Sequence, residues 1–401
     1  MTRGPRGARP LRVLHCPSTV GGNAQQLARS ERELGADSWS VAFQQSYMQY
    51  DFDEVLWSED AGFVTQMVER AKLLRRALRD FDIVHFNFGE TMFPQAVPMG
   101  APSSGGYPRA VVAAHRWIAR TMEFKDLVAL RRAGKGIVVT FQGDDARQGD
   151  YSRAHFPITF ATEVDEAYYT PVTDAMKRGR IARFGELADR IFSVNPDLLH
   201  VLPPSARFVP YAHVEMREWA ARVRPVPVRP VVVHAPTHRA VKGTRYLMAA
   251  VQRLQAEGVD FELRLVEGMS YADARRVYAE ADLLVDQLLA GWYGGLAVEL
   301  MALGTPVICY LREGDLGYLP PGMRDDLPLI NATPDTIYAV LREWLTTRKH
   351  ELPARGMKSR AFVERWHDSR EIARQMLQEY EAIIRRADDG ARPALALRMG
   401  R

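Results

Sequence analysis

A short basic segment is the first feature of the sequence that points to chemistry. It spans 235–244 and follows an apolar run, Val231–His234, that is typical of a strand. Arg239 and Lys242 lie in this segment just before a helical pattern, and a helix N-terminus would add free N–H groups to their charges. This combination suits a diphosphate, although a solvated loop with basic residues has the same pattern.

A second segment, 290–299, combines glycines with one acidic residue at the start of a helical pattern. Gly294 and Gly295 allow backbone amides to approach a ligand closely. Glu299 lies one turn inside the predicted helix, where a carboxylate can accept hydrogen bonds from both hydroxyls of a ribose. An exposed glutamate that binds nothing is the alternative.

Glycines also follow the first predicted strand, at Gly21 and Gly22 within the segment 17–23. Adjacent glycines can present backbone N–H groups to a ligand at a cleft. In open parallel sheets, ligands bind beyond the carboxyl ends of the strands, and all three segments are predicted there. The sequence therefore predicts a nucleotide-binding cleft to which several loops contribute.

The elements that position these loops alternate along the chain. Short β-branched apolar runs are followed by longer amphipathic runs, which is the pattern of βα units in a parallel sheet. The predicted strands are 11–16, 40–43, 83–86, 136–141, 191–194, 207–209, 231–234, 261–266, 283–286 and 307–310. Three prolines at 222–230 interrupt this pattern and favour an extended linker. We predict a disordered tail at 1–10, an N-terminal Rossmann-like acceptor domain at 11–221, the linker at 222–230, a C-terminal Rossmann-like donor domain at 231–370, a crossover helix at 371–388 and a disordered tail at 389–401.

Several motifs resemble those of the retaining glycosyltransferases of the GT4 group. Asp82–His85 is similar to the group's D-x-V-H strand, and Val139–Asp144 to its T-x-H-G-x-D motif. Ala188–Asp197 resembles A-D-x-I-x-x-V-S-x-x, and Lys242–Thr244 resembles the K-G diphosphate loop. Glu299–Val307 resembles E-A-M-A-x-G-x-P-V, which is the most specific of these motifs.

The resemblance implies an α/β fold of the GT-B type, in which two doubly wound Rossmann-like domains face a central cleft. It also implies that a C-terminal helix returns to the N-terminal domain. Donor-binding residues are implied in three roles: Arg239 and Lys242 on the diphosphate, Glu299 on the ribose, and Tyr293, Gly294 and Gly295 at the sugar-phosphate pocket, with Gly21 and Gly22 added from the first loop.

The chain departs from the group's pattern at three positions. Gly291 stands where the group has a glutamate that contacts the transferred sugar, and this predicts a neutral, enlarged pocket for an unusual sugar. Asn87 and Gln142 each replace a histidine of the group. His85 and Asn87 are expected to face the cleft with a catalytic role, against the alternative that His85 is a satisfied core histidine.

Gln142 and Asp144 are the candidate acceptor-binding residues. For Asp144, helix capping is an alternative that does not involve the acceptor. No metal site is predicted, because in GT-B enzymes fixed cations take the place of a metal ion at the leaving group. No cofactor is expected beyond the nucleotide sugar itself, which is a co-substrate.

Composition and charge argue against several other classes of protein. Lysine and arginine number 53 against 49 acidic residues, and the formal net charge of +4 is too small to indicate a nucleic-acid groove. Cys16 and Cys309 lie far apart in apolar runs, which fits a reducing cytoplasm better than a disulfide. Neither a signal peptide nor a membrane-spanning stretch is predicted. The oligomeric state is left open.

One amphipathic run, 64–79, carries a basic face beside an apolar stripe. Such a helix can lie on a membrane, but an outer helix that covers a Rossmann sheet has the same pattern. We favour the outer helix, and membrane contact remains the minor alternative.

The function predicted from these observations is the transfer of a sugar from a UDP- or GDP-type donor to a small-molecule acceptor, with retention and without a metal. Arg239, Lys242 and the helix N-terminus before Glu299 would stabilise the leaving diphosphate. A nucleotide-sugar-binding protein without transferase activity is the alternative. A nicotinamide-dependent dehydrogenase is disfavoured, because the segment at Gly21 lacks the G-x-G-x-x-G spacing. The arginine-rich composition suggests a natural-product pathway.

Overall fold

A computed structural model of the chain describes residues 9–17, 21–45, 50–95, 117–221 and 225–389. Most of the two predicted tails and the first residues of the predicted linker lie outside these ranges. Within them, the chain forms two separate parallel sheets with helices between the strands.

The first sheet has seven parallel strands among the described residues, in the order β3-β2-β1-β4-β5-β6-β7. Six of them were predicted from apolar runs, and only the two-residue β3 was missed. The strands are β1 (Arg12–His15), β2 (Asp37–Ala42), β3 (Glu54–Val55), β4 (Ile83–Asn87), β5 (Gly136–Phe141), β6 (Arg190–Ser193) and β7 (Arg207–Phe208).

The second sheet has five parallel strands in the described part of the chain, in the order β12-β11-β10-β8-β9. The short β12 was not predicted. The strands are β8 (Val231–His234), β9 (Glu262–Leu265), β10 (Leu283–Val285), β11 (Val307–Cys309) and β12 (Ile330–Asn331).

Helices connect most of these strands. The helices of the first half include Asn23–Glu33, Phe63–Asp80, Lys125–Arg132, Gly149–His155 and Pro171–Leu187. Those of the second half are Arg239–Lys242, Thr244–Ala256, Tyr271–Tyr278, Gly295–Ala302, Met323–Asp326, Ile337–Leu345, Leu352–Trp366 and Ser369–Asp388.

Each sheet is covered on both faces, because neighbouring residues of a strand point to opposite sides. In β1, Val13 packs into one hydrophobic cluster and Leu14 into another, and both are fully buried. In β8, Val233 packs into the same cluster as Val13, and Val232 packs into a different cluster on the opposite face. Strands buried on both faces are typical of a parallel sheet between two helical layers. The predicted α/β fold with two Rossmann-like domains is thus confirmed.

The C-terminal region, in which the crossover helix was predicted at 371–388, forms two helices. The first helix ends at Trp366 and the second begins at Ser369. Asp368 accepts a hydrogen bond from the backbone N–H of Arg370 and so caps the second helix. The break falls where the backbone N–H of Ser369 donates to the carbonyl oxygen of Val214.

The final helix, Ser369–Asp388, packs against the first domain, which confirms the predicted return. Ser369 Oγ accepts a hydrogen bond from Ser30 Oγ at 3.0 Å. Farther along, the fully buried Tyr380 places its hydroxyl 2.6 Å from His85 Nδ1 in β4. The helix therefore joins the first sheet through polar as well as apolar contacts.

The basic run predicted as an outer helix forms the helix Phe63–Asp80. Leu73 and Ala77 are buried on its inner face, while Arg70 stacks over Phe43 with its guanidinium carbon 4.0 Å from the ring centre. The helix thus covers the first sheet with this inner face. Among the described residues, no helix combines the length and the apolar character needed to cross a bilayer.

We predict that Tyr380→Phe lowers the free energy of unfolding by about 1–3 kcal/mol, because it leaves a buried ring nitrogen of His85 without its partner. Chemical denaturation measures this change. Tyr338→Phe is the matched control, since the Tyr338 hydroxyl bonds only to the exposed Glu257 in the described structure, and we expect a change below about 0.5 kcal/mol. Equal effects of the two substitutions would contradict the role given to Tyr380.

Candidate functional site

The strand order determines where loops from distant parts of the chain meet. In the first sheet β1 lies between β2 and β4, and in the second sheet β8 lies between β9 and β10. At such a reversal, the loops after the two neighbouring strands run to opposite sides and leave a crevice. The crevices therefore lie beyond β1 and β4 in the first sheet and beyond β8 and β10 in the second.

Lys242 lies at the crevice of the second sheet, with its side chain only 12% exposed. Its Nζ is 2.7 Å from Asp286 Oδ1 and 3.0 Å from Gln287 Oε1, and both residues directly follow β10. These contacts use two of the three N–H donors of the ammonium. A Cβ atom at Gly294 would come 3.2 Å from Nζ, so glycine leaves room beside the cation.

Asp286 connects this cation to the helix Gly295–Ala302. Its second carboxylate oxygen accepts the backbone N–H of Gly294 at 2.7 Å, and its side chain is 1% exposed. Gly294 is the N-cap of the helix. The structure therefore brings together Lys242, Gly294 and the helix N-terminus, which is the arrangement that binds an anion.

Arg239 does not join this cluster, although the sequence predicted that both cations serve the diphosphate. Its side chain is 62% exposed, and its guanidinium pairs with Glu267 at 2.5 Å. Glu267 follows β9, so Arg239 points toward the edge strand, whereas Lys242 points toward β10. Residues 239–242 form a short helical turn, which lets the side chains of Arg239 and Lys242 point in different directions. The linear sequence does not show this difference.

Glu299 lies one turn inside the helix Gly295–Ala302, as predicted, but it is buried rather than exposed. The hydroxyl of Tyr271 donates to its Oε1 at 3.1 Å. Burial raises the pKa of the Glu299 carboxyl to about 7, although the Tyr271 hydrogen bond and the charge of Arg275 partly lower it. The position beside the helix N-terminus fits the predicted ribose contact.

His213, which is not among the predicted site residues, lies at the centre of the site. Its Nε2 is 3.2 Å from the carbonyl oxygen of Gly295 and 3.7 Å from Glu299 Oε1. A Cβ atom at Gly22 would lie 3.3 Å from the Cβ of His213. The sequence signal that could have found it is its place shortly after a strand of the first domain, at the carboxyl edge.

Gly21 and Gly22 both have positive φ angles, +81° and +68°, that favour glycine. A Cβ atom at Gly21 would lie 3.0 Å from Gln142 Oε1. The two glycines therefore allow the loop after β1 to approach Gln142 on one side and His213 on the other. This places them at the crevice beyond β1, as predicted.

Gln142 holds together loops of the first domain. Its Oε1 accepts a hydrogen bond from Asn23 Nδ2 at 2.8 Å, and its Nε2 donates to the carbonyl oxygen of Asn87 at 3.2 Å. Asn23 Oδ1 in turn accepts the backbone N–H of Ala212 at 2.9 Å. Gln142 thus supports the cleft wall next to Gly21, and its predicted contact with an acceptor stays a prediction.

The expectation that His85 and Asn87 face the cleft is wrong. His85 is 1% exposed, and its ring nitrogens are engaged by Tyr380 and by Thr140, the latter at 2.7 Å. Asn87 is 2% exposed, and its amide lies 3.2 Å from His15 Nδ1. His85 belongs to the body of β4 rather than to its end, so it is the satisfied core histidine named as the alternative.

Tyr293 also differs from its predicted place at the sugar-phosphate pocket. Its side chain is fully buried, and its hydroxyl lies 2.7 Å from His367 Nε2. It packs with Trp292 in the hydrophobic cluster between the two domains. The aromatic ring therefore packs in the core behind the loop, whereas Gly294 lies beside Lys242 and Gly295 beside His213.

Asp144 lies among polar groups at the edge of the first domain. The hydroxyls of Tyr168 and Tyr169 each donate to its carboxylate at 2.5 Å. Burial raises the pKa of Asp144, but Arg147 and the two hydroxyls outweigh that effect and lower it overall. Because the ring of Tyr168 contacts the ring of His238 in the loop after β8, this predicted acceptor residue lies close to the donor side.

The neutral, enlarged pocket expected at Gly291 is not present. A Cβ atom there would lie 2.6 Å from Nη1 of Arg312, so the guanidinium fills the space. Arg312 pairs with Asp315 at 2.8 Å and donates to the carbonyl oxygen of Ile158 in the first domain. The φ of +82° at Gly291 further disfavours any side chain.

Acidic, histidine and cysteine side chains form no group of three or more that could hold a metal ion in the part of the chain that the structure describes.

The raised pKa of Glu299 leads to a prediction on stability. Because the folded carboxyl holds its proton to about pH 7, its contribution to stability is present at low pH and is lost as pH rises through 7. We compare the free energy of unfolding of the Glu299→Gln variant with that of the parent. The difference should shift in favour of the variant by up to about 3 kcal/mol as the pH rises from 4.5 to 8. Urea denaturation across this range measures it. The same substitution at the exposed Glu166 should show no such trend, and a flat difference for Glu299 would refute the assignment.

No protein-family model and no curated protein matches the sequence. Among solved structures, HepE from Anabaena in complex with UDP-glucose matches with a TM-score of 0.56 at 12% identity, over 93% of this chain and 100% of that one.

Two further structures match over 94% of this chain and 100% of their own. Sucrose-phosphate synthase from Thermosynechococcus elongatus has a TM-score of 0.54 at 14% identity. The catalytic domain of starch synthase IV from Arabidopsis thaliana, bound to ADP and acarbose, has a TM-score of 0.56 at 12% identity. The chain therefore has the GT-B fold, with two Rossmann-like domains.

Proposed function

We propose that this protein is a glycosyltransferase that moves a sugar from a nucleotide-diphosphate donor of the UDP or GDP type to a small-molecule acceptor. The observation that carries the proposal is the convergence of Lys242, the helix N-terminus at Gly294 and Glu299 on one side of a cleft. Gly22 faces them from the other domain across His213. These groups match the phosphates and the ribose of such a donor.

The similar structures support the proposal as well. Their names describe proteins that are crystallised with UDP-glucose or ADP, or that synthesise sucrose phosphate or starch. A shared fold can carry other functions, so the residues of the site support this function more strongly than the similarity of fold.

In the proposed reaction, the bond between the anomeric carbon and the diphosphate oxygen breaks while a bond to an acceptor atom forms. The acceptor's proton passes to the leaving diphosphate, so no separate base is required. Lys242 and the amides of the helix stabilise the negative charge that grows on the diphosphate. Loss of one preorganised donor of this kind lowers the rate by about a hundredfold. We further propose retention of configuration and independence of metal ions.

The first test is turnover with a panel of UDP- and GDP-sugars in the presence of a chelator, followed by mass spectrometry of the released nucleotide and the product. Release of nucleoside diphosphate together with a glycosylated product supports the proposal. Binding without release would instead favour a nucleotide-sugar-binding protein, and the buried positions of His85 and Asn87 keep that alternative open. Activity that the chelator abolishes would refute metal independence.

A second prediction separates the two cations of the basic loop. Lys242→Ala should weaken the binding of UDP or GDP by about tenfold or more, because a charge-assisted hydrogen bond to phosphate is lost, and should leave the binding of the nucleoside unchanged. Arg239→Ala should have a smaller effect, since its side chain is 62% exposed and points toward Glu267 after the edge strand β9, away from Lys242. Calorimetry with both ligands measures this.

Arg253→Ala is the control for this pair, because Arg253 is exposed on the helix Thr244–Ala256 and pairs with Glu257. We expect it to bind both ligands like the parent. Parent-like diphosphate binding by the Lys242 variant would remove Lys242 from the donor site.

A further inference from the structure

His213 reaches the donor side of the cleft from the first domain. It follows β7 within the segment 209–214, and its side chain is only 8% exposed. Nε2 lies 3.2 Å from the carbonyl oxygen of Gly295. Because a carbonyl oxygen only accepts, Nε2 must carry the hydrogen, and Nδ1 is then a bare acceptor.

This bare nitrogen has no hydrogen-bond partner among the described residues, although it is buried. A buried acceptor without a partner is unfavourable and rare in folded proteins. Protonation of Nδ1 does not remove this unfavourable state, since burial lowers the pKa of His213 to about 4 and keeps the ring neutral at neutral pH. The nitrogen is therefore suited to accept a hydrogen bond from a molecule that enters the cleft.

The surroundings of the ring indicate what kind of molecule that is. Glu299 Oε1 is 3.7 Å from Nε2, so a hydroxyl-bearing group at Glu299 lies next to His213. Two glycines flank the ring: a Cβ atom at Gly22 would come 3.3 Å from the Cβ of His213, and one at Gly295 would come 3.4 Å from Cε1. Side chains at either glycine would crowd the ring or the ligand space beside it.

We propose that His213 contacts the donor, and that its Nδ1 accepts a hydrogen bond from a hydroxyl group of the nucleotide sugar. The inference rests on the proposed function and adds a residue of the first domain to the donor site. The hydroxyl belongs either to the ribose or to the transferred sugar, and the two share the same chemistry. Because Nε2 contacts Gly295 while Nδ1 meets the ligand, His213 would connect the donor to the second domain.

Two amide substitutions test the two nitrogens separately. The side-chain amide of His213→Asn lies near the position of Nδ1, whereas that of His213→Gln lies near the position of Nε2. His213→Phe keeps the ring and removes both nitrogens. Calorimetry of each variant with UDP, UDP-glucose, GDP and GDP-mannose gives the affinities, and thermal unfolding shows whether each variant is folded.

We expect His213→Asn to bind the donor within about twofold of the parent, and His213→Gln and His213→Phe to bind about tenfold more weakly, as for the loss of one buried hydrogen bond. An equal loss for diphosphate and sugar donor assigns the hydroxyl to the ribose. A loss confined to the sugar donor assigns it to the transferred sugar. If the His213→Phe variant does not fold, the comparison of the His213→Asn and His213→Gln variants still tests the proposal.

The opposite pattern, in which Gln binds like the parent and Asn does not, would show that only the contact with Gly295 matters and would overturn the proposal. Parent-like binding by all variants would overturn it too, because a water molecule would then satisfy Nδ1. A parent chain that binds none of the four nucleotides would instead reject the proposed function, and this assignment with it.

Discussion

The arrangement of the site depends on one crossing of the chain between the two domains. The segments 211–214 and 367–369 run side by side there: His367 Nδ1 lies 3.0 Å from the carbonyl oxygen of Tyr211, and the backbone N–H of Ser369 donates to Val214 at 3.2 Å. His367 Nε2 also lies 2.7 Å from the Tyr293 hydroxyl of the loop after β10. A fully buried histidine thus connects both domains to the final helix, and the residue between Tyr211 and Val214 that reaches the cleft is His213. Because buried polar groups need partners, small shifts at this crossing are strongly disfavoured.

The architecture could be predicted from the sequence because it depends on local patterns. Apolar runs such as those of β5 and β8 were predicted with their observed bounds, and the return of the final helix followed from the resemblance to a known fold. The short strands β3 and β12 were missed, although the equally short β7 was predicted, because two residues carry little periodicity. The exact start of the final helix is harder to predict, because the cap at Asp368 is a weak local signal, whereas the partner at Val214 lies far away in the sequence.

Side-chain direction was the part that sequence reasoning could not supply. Arg239 and Lys242 lie three positions apart in one basic segment, yet one is 62% exposed beside Glu267 and the other 12% exposed beside Asp286. The difference arises from the acidic partners, which are contributed by loops after two different strands. Gly291 shows the same limit, because the cation that fills its pocket, Arg312, arrives from the loop after β11. The absence of a glutamate at position 291 predicted an enlarged pocket, but the guanidinium of Arg312 occupies that space.

These pairings also determine how the cleft can hold a diphosphate. Asp286 is almost fully buried and neutralises Lys242, so the cation avoids the desolvation cost of an isolated buried charge. The same carboxylate reduces the attraction that Lys242 exerts on a phosphate. The remaining attraction has to come from the N-terminus of the helix Gly295–Ala302, whose amides and dipole favour an anion without a desolvated counter-charge. Glycine at 294 and 295 matters for that reason, since a phosphate can bind backbone amides closely only where no side chain covers them.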